Sequence, residues 1–349
     1  MSRPFASRLL LSASVAALYA CGGSTPSTPI SVPAPPEGDN TYKCVTAAQK
    51  FLESLDGTQK SEVRFDYDDS AQRTRWSNLP TGGFQRKGVK LGSMTQTQQQ
   101  ATFELLATLL SAKGYQQVVD AVNADEVLKS TTTGGPFTFG RAEYYISILG
   151  TPSATSPWRV QFGGHHMALN ATIVGADITL APSLTGAQPA IYTANGVTIR
   201  PQGGEVDKSF ELINALGPEQ QQKAILGASP IDLVLGPGKD GKTLTSEGIN
   251  ASELTAGQQA LLLALIQERV GLLNDEDTAV RMADIQSHLA ETYLAWYGPV
   301  TPGSAAYFRV TGPTLFIEYS PQQMGGSAVN HTHAMYRDFA NDYGAGYLE

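Results

Sequence analysis

Four of the five histidines in this 349-residue sequence fall into two tight clusters. His165 and His166 are adjacent, and one residue separates His331 from His333. Imidazole is the commonest metal-binding side chain, and protein metal sites usually gather ligands from separate segments of the chain. The two clusters therefore indicate one metal site to which both segments contribute.

Strand geometry ranks these histidines as ligands. His331 and His333 are two residues apart, so on an extended backbone they point to one side and form a chelating pair. His165 and His166 point to opposite sides of a regular strand, so one of them is expected to join the pair. His166 shares its side with the polar Asn170, whereas His165 shares its side with apolar residues. We therefore predict His166 as third ligand and keep His165 in the candidate set.

Three charged residues near the second cluster are candidates for the rest of the site. Glu318 and Asp338 are candidates for a fourth ligand or a general base, and Arg337 for binding an anionic substrate group or supporting a ligand. A set of nitrogens, with or without a carboxylate, suits zinc, copper or iron rather than calcium or magnesium. Zinc would act as a Lewis acid, whereas copper or iron would indicate oxygen chemistry.

The same residues also admit a structural interpretation. Histidines next to glycine and asparagine often bind main-chain carbonyls and fix loops. Glu318 could pair with Arg309 or Arg337. His288 lies in a predicted helix and reads as an ordinary boundary residue.

The N-terminus is typical of an exported lipoprotein. Residues 1–20 read as a signal peptide, with Arg3 and Arg8 before an apolar run too short to span a bilayer. The four residues Leu18-Tyr19-Ala20-Cys21 fit a lipobox, so we expect cleavage before Cys21 and lipidation of its sulfur. The membrane is then a partner through the lipid anchor.

The chain after Cys21 is expected to be a tether followed by one domain. Residues 21–41 are mostly Gly, Ser, Thr and Pro, which predicts a disordered linker. Gly22 rather than Asp after the cysteine favours the periplasmic face of the outer membrane of a Gram-negative bacterium. Residues 42–349 are long enough for a single domain. The net charge of −8 and the lack of a basic cluster argue against nucleic acid as a partner.

Hydrophobic spacing predicts an α+β domain, with a central antiparallel sheet, helices packed on it, a C-terminal hairpin and an irregular polar segment after it. Segments 51–59 and 210–220 share a helix, a leucine, a short turn and a glutamine, a weak indication of duplication. Helices are predicted over 42–55, 97–123 in two pieces, 206–216, 220–226, 256–273 and 277–296, strands over 144–149, 158–162, 167–174, 178–181, 306–310 and 315–319, and irregular chain over 320–346.

Residues 236–243 match the pattern of a phosphate-binding loop. A working loop needs a helix that begins at its Lys-Thr pair. Residues 244–250 lack helical spacing, and Asp240-Gly241 is typical of a tight turn. The sequence therefore predicts a turn here and no nucleotide as a partner.

Taken together, several motifs resemble a bacterial and fungal family of exported proteins, domain of unknown function 3500. The resemblance implies a shared fold and makes the loop around Gly241 a family feature; it implies no activity. The motifs lie between Ala47 and Gly344, at 76–80, 157–158, 164–166, 169–170, 241, 248, 254–255, 258, 318–319, 331–333, 336–338 and 341–344.

The leading hypothesis is a metal-dependent envelope enzyme, a hydrolase or an oxidoreductase. His166, His331 and His333 would be its ligands. The alternative is a non-catalytic lipoprotein that binds a metal ion or another small ligand in the same place, and a third reading is a purely structural envelope protein.

Overall fold

A large mixed sheet with helices packed on it forms the centre of the fold in this computed structural model, which describes residues 39–242, 244–324 and 326–347. The α+β prediction is confirmed. The predicted signal peptide, Cys21 and nearly all of the linker lie outside the described residues. Within the described ranges, no helix has the length and apolar character needed to cross a bilayer.

Seven of the described α-helices lie in segments predicted as helical, whereas α2 and α3 do not, and most begin at a side chain that caps their free N–H groups. They are α1 (Asn40–Ser54), α2 (Gly57–Val63), α3 (Ser70–Arg73), α4 (Gln96–Leu109), α5 (Ala112–Thr131), α6 (Gly203–Ala215), α7 (Pro218–Ala224), α8 (Ala256–Val270) and α9 (Asp275–Ser287).

The strands are mostly antiparallel to their neighbours. They are β1 (Arg64–Phe65), β2 (Val89–Lys90), β3 (Tyr145–Leu149), β4 (Trp158–Gly164), β5 (Met167–Val174), β6 (Asp177–Thr179), β7 (Ser183–Ala187), β8 (Tyr192–Ala194), β9 (Val197–Ile199), β10 (Ile225–Gly227), β11 (Ile249–Asn250), β12 (Tyr293–Tyr297), β13 (Tyr307–Thr311), β14 (Phe316–Pro321) and β15 (Thr332–Arg337).

The structure adds elements that were not predicted, among them α2, α3 and β7, and two predicted segments differ in type. The helix predicted over 277–296 ends at Ser287, and its last part is strand β12. His288 caps α9 through its N–H, and the aromatic-rich residues that follow pair with β13, which suits their strand preference. Within the segment predicted as irregular, β15 pairs on both sides, with β7 and β14.

The sheet is built from two similar halves. Its strand order is β1-β3-β4-β5-β7-β15-β14-β13-β12-β10, in which the second half mirrors the first. The outermost strands β1 and β10 pair in parallel with β3 and β12, and α1 packs on α4 as α6 packs on α8. The weak sequence indication of duplication therefore corresponds to a pseudo-two-fold arrangement about the β7–β15 pair.

A pair of glutamines repeats in both halves. Gln98 donates to the Gln59 side chain at 2.8 Å and to the backbone oxygen that ends α1 at 2.9 Å. Gln258 donates to the Gln220 side chain at 2.8 Å and to the backbone oxygen that ends α6 at 2.8 Å. Each pair fastens the first helix of its half to the start of α4 or α8.

We expect Gln98→Ala and Gln258→Ala to lower the free energy of unfolding by similar amounts, about 2 kcal/mol each. Both remove a nearly buried side chain that completes a capping box and satisfies a partner amide. Denaturant unfolding measures the change, with Gln100→Ala on the exposed face of α4 as control. A loss confined to one half would contradict the equivalence of the two pairs.

The two faces of the sheet are covered differently. On β15, Ala334 and Tyr336 pack in the cluster that contains α6 and α8, and on β5 Leu169 packs in the cluster that contains α1 and α4. Met335, between Ala334 and Tyr336, instead contacts loop residues such as Trp76. Because side chains alternate along a strand, His333 lies on the same loop-covered face as Met335.

Candidate metal centre

The first histidine cluster forms the two-residue turn between β4 and β5. Gly164 pairs with Met167, which leaves His165 and His166 as the turn residues, and His166 has a positive φ of 59°. Such a backbone conformation is uncommon for a residue with a side chain and must be held by its surroundings. The distortion allows both imidazoles to lie on one side, with their rings stacked at 3.6 Å.

Hydrogen bonds from neighbouring segments hold this turn. The His166 N–H donates to the oxygen of Asn78 at 3.0 Å, and the His166 oxygen accepts from the Gly186 N–H at 2.7 Å. The Tyr144 hydroxyl donates to the oxygen of His165 at 2.7 Å, and Arg86 Nη2 donates to the oxygen of Gly164 at 2.7 Å. The turn is therefore positioned from several directions.

The second cluster is carried by the central strand of the sheet. His333 lies on β15 directly opposite Gly186 of β7, and His331 immediately precedes β15 on the same side. A Cβ at Gly186 would lie 3.1 Å from His333 Cδ2 and 3.2 Å from His166 Cβ. Glycine at this position therefore allows the two imidazoles to approach across β7.

His166, His331 and His333 form one buried group. Each offers a ring nitrogen, and these nitrogens all lie within 4.8 Å of one another. The Nε2 atoms of His166 and His331 are 2.8 Å apart. Since metal–nitrogen bonds are about 2.1 Å long, two ligands of one ion lie at most roughly 4.2 Å apart. Small ring rotations would bring the farthest pair into that range.

The remaining ring nitrogens differ in their partners. His331 Nδ1 lies 2.8 Å from the Met324 oxygen, to which it donates when protonated, leaving the Nε2 lone pair directed at His166. His333 is fully buried, and neither of its ring nitrogens has a hydrogen-bond partner among the described residues. The two ring nitrogens of His333 are therefore available as metal ligands at the centre of the three histidines.

Burial keeps these imidazoles neutral. Burial, and then the neighbouring imidazoles, hold the pKa values of His166 and His333 well below 6.5. The pKa of His331 is also lowered, mainly by burial and against the hydrogen bond to Met324. Neutral imidazole is the form that binds a metal ion, so the ligands need no deprotonation near neutral pH.

These pKa values predict the pH dependence of the metal-free protein. Because the folded pKa of His333 lies below the unfolded value of 6.5, its contribution to stability is complete above pH 6.5 and is lost as the pH falls below it. Well below pH 6.5, each such histidine lowers the free energy of unfolding by about 1.4 kcal/mol per pH unit, and at pH 6.5 the slope is about half of that. Denaturant unfolding at about pH 6.5 and about pH 5.5 should therefore show a loss roughly 1 kcal/mol smaller in His333→Leu than in wild type.

Several buried carboxyl groups act in the opposite sense. Burial raises the pKa values of Asp277 and Asp338 to about 6 and that of Glu318 to about 7, so their contributions to stability fall as the pH rises. These groups are present in wild type and in His333→Leu, so they cancel in the comparison. Equal losses in the two proteins would mean that folded His333 takes up the proton.

His165 stays outside the group of three. Its Nδ1 lies 2.6 Å from Asp125 Oδ1 on α5, and its ring stacks on His166. The other oxygen of Asp125 accepts from the Gly140 N–H at 2.7 Å. His165 therefore lies between the Asp125 carboxylate and the His166 ring, beside the three clustered histidines rather than among them.

Glu318 is engaged away from the histidines. It lies on the same sheet face as His333, but its carboxylate accepts from the N–H groups of Val234 and Leu235 at 2.7 and 2.8 Å and from the Tyr307 hydroxyl at 2.9 Å. Burial raises the Glu318 pKa to about 7. Its contacts anchor the loop after β10 to the sheet.

Arg337 and Asp338 also have other partners. Arg337 is buried, forms ion pairs with Asp240 at 2.9 Å and Asp342 at 2.7 Å, and donates to the Leu235 oxygen at 2.9 Å. Asp338 forms an ion pair with Arg281 at 3.2 Å. Both residues line a cleft of about 320 Å³, together with Tyr336, whose side chain lies on the helix-covered face of the sheet. The structure does not bring Arg337 or Asp338 to the histidines.

The loop that matches the phosphate-binding pattern is also held by contacts with the C-terminal part of the chain. Lys242 lies in a turn, and the next helical element in the described chain is the short 3-10 helix Ala251–Glu253. Asp240 of this loop accepts from the Tyr343 hydroxyl at 2.8 Å in addition to Arg337. The predicted turn is present, and its acidic residue fastens the loop to the C-terminal segment.

Sequence reasoning missed three residues that shape the site. Asp125 and Arg86 lie far from the histidines in the sequence, in segments without a recognisable motif, and only the tertiary fold brings them to the turn. Gly186 could have been suspected only if strand β7 had been predicted, because its role depends on the pairing with His333.

Comparison with known proteins gives one match. A family model described as "Protein of unknown function (DUF3500)" matches residues 37–345, most of the chain. No curated protein and no solved structure gives a significant match.

Proposed function

We propose that this chain, which belongs to the DUF3500 family of proteins of unknown function, binds one transition-metal ion through His166, His331 and His333. The support is geometric: three neutral imidazoles from a strained turn and a central strand converge in the interior. Nitrogen ligands of this kind suit zinc, copper or iron.

The observation that carries the proposal is the state of His333. Buried polar groups nearly always have a hydrogen-bond partner, and leaving one without a partner costs about 1–3 kcal/mol. His333 has two such nitrogens in one ring. Coordination of a metal ion by one of them removes much of that cost and explains why an imidazole occupies this position.

Between the two roles for such an ion, we favour binding over catalysis. The residues expected to act on a substrate, Glu318, Arg337 and Asp338, are each held by other partners. The ligand that the site itself supports is therefore a metal ion rather than an organic substrate.

Metal content tests the proposal. The purified chain is incubated with zinc or with copper, desalted and analysed by elemental mass spectrometry. We expect about one ion per chain in wild type and none in a His331→Ala, His333→Ala double variant. His288→Ala, which changes a partly exposed histidine at the end of α9, is the matched control and should retain the ion. Absence of metal from wild type, or its retention in the double variant, would refute the proposal.

We also propose that the domain is carried on the cell envelope as a lipoprotein attached through Cys21. This rests on the N-terminal sequence pattern alone. Mass spectrometry of the protein from membrane fractions should show a lipid-modified N-terminal cysteine, and Cys21→Ala should abolish the modification. An unmodified mature N-terminus in the wild type would show that the chain is exported without an anchor, or is not exported.

A further inference from the structure

We propose that the ion held by His166, His331 and His333 is monovalent copper, Cu(I), in preference to a divalent ion. This rests on the proposed function, because it specifies which ion the same three nitrogens select.

The ligand group carries no charge of its own. Among the described residues, the group of potential ligands at this place consists of the three histidines, without a carboxylate or a thiolate. The described cysteine, Cys44, is buried in the core between α1 and α4. The full charge of any bound ion must therefore be balanced from outside the ligands.

The fully buried charge beside the histidines is a single carboxylate. The Arg86 guanidinium donates to the oxygens of Gly164, Ser77 and Leu79 at 2.6–2.7 Å, but Arg86 is partly exposed and its field is partly screened by solvent. Asp125 supplies one negative charge through its contact with His165. The charge of Asp232 also reaches His331, but Asp232 is exposed and its field is screened by solvent.

Burial therefore penalises a divalent ion strongly. The cost of moving an ion from water into a low-dielectric interior scales with the square of its charge, so it is about four times larger for a 2+ ion than for a 1+ ion of the same size. His166 and His333 are buried, and the one buried carboxylate beside them, Asp125, can balance a single positive charge. An ion with a single positive charge fits these surroundings best.

The described side chains supply three ligands to such an ion. The potential ligands that converge here are the three histidines, and the strand between His166 and His333 has no room for a side chain at Gly186. Zinc sites are almost always four-coordinate, which here would require an additional ligand from outside the group. Cu(I) is satisfied by three nitrogen ligands, and imidazole is among the ligands that suit copper.

Separate affinity measurements for the two ions on the full chain test the inference. Under anaerobic, reducing conditions, Cu(I) is titrated against bicinchoninate, and Zn²⁺ is titrated separately against a zinc-responsive chelator dye. We expect one Cu(I) per chain, bound at least about 100-fold more tightly than Zn²⁺. X-ray absorption of the copper protein should show three nitrogen neighbours.

A charge variant gives a second measurement. Asp125→Asn keeps a side chain that can bond to His165 but removes the negative charge, so it should weaken Zn²⁺ binding more than Cu(I) binding, by about tenfold in the ratio of the two affinities. His288→Ala should leave that ratio unchanged.

The outcomes separate the two proposals. Zinc bound as tightly as Cu(I) or more tightly, with both ions lost in His333→Ala, would overturn the choice of copper and leave metal binding standing. Failure of both ions to bind would overturn the proposed function itself.

Discussion

Replacing His333 with leucine is expected to leave the free energy of unfolding of the metal-free protein unchanged or to raise it by about 1 kcal/mol. Most substitutions of a fully buried residue destabilise a protein. Here the imidazole has two buried nitrogens without partners, so an apolar side chain of similar size removes a desolvation penalty and retains the packing.

The sign should reverse when metal is present. An ion at 100 times its dissociation constant stabilises the wild type by about 2.7 kcal/mol, and His333→Leu should lose that gain. Denaturant unfolding of both proteins with and without the ion measures the four values. His288→Leu serves as a control that responds to metal as the wild type does. Destabilisation of metal-free His333→Leu by several kcal/mol would instead mean that the imidazole has a structural role.

Arg337→Met is expected to lower the free energy of unfolding by about 3 kcal/mol without loss of metal binding. The guanidinium is 2% exposed, and its removal leaves the partly buried Asp240 and Asp342 carboxylates without their shared cation and the Leu235 oxygen without this donor. The side chain also lies over the Trp76 ring at 5.6 Å, so packing of the loop is lost as well. Arg337→Lys should give an intermediate loss, since lysine keeps the charge but cannot form the same fork of hydrogen bonds.

Unfolding curves and metal content of these variants distinguish the structural role of Arg337 from the substrate-binding role suggested by its position in the sequence. We expect about one metal ion per chain in each variant that still folds. A stable Arg337→Met protein that has lost its metal would place Arg337 at the site after all.

The sequence was most informative where a local rule applied. The spacing of His331 and His333 on extended backbone fixes their common side. The structure also brings His166 to them, but the reason differs from strand alternation, because His165 and His166 form a turn with both rings on one side. The helices α1, α4 and α8 follow stripes of apolar residues, and their capping residues are visible in the sequence.

Local rules failed where a contact between distant segments decides the outcome. Residues 293–297 continue an apolar run after α9, and only their pairing with β13 makes them a strand. Glu318 and Arg337 lie near the histidines in the sequence, yet loop carbonyls, amides and acidic groups from 234–240 and 342 engage them. Neither the bond between His165 and Asp125 nor the gap at Gly186 leaves a trace in the residue pattern.

The two-fold character of the sheet bears on the history of the histidine group. In the first half, the turn between β4 and β5 consists of His165 and His166, and at the matching place in the second half, between β13 and β14, stand Pro313 and Thr314. The group draws one imidazole from the first half and two from the second. A single half supplies only part of this group, so if the halves descend from one ancestral unit, the group requires two such units brought together across the β7–β15 pair.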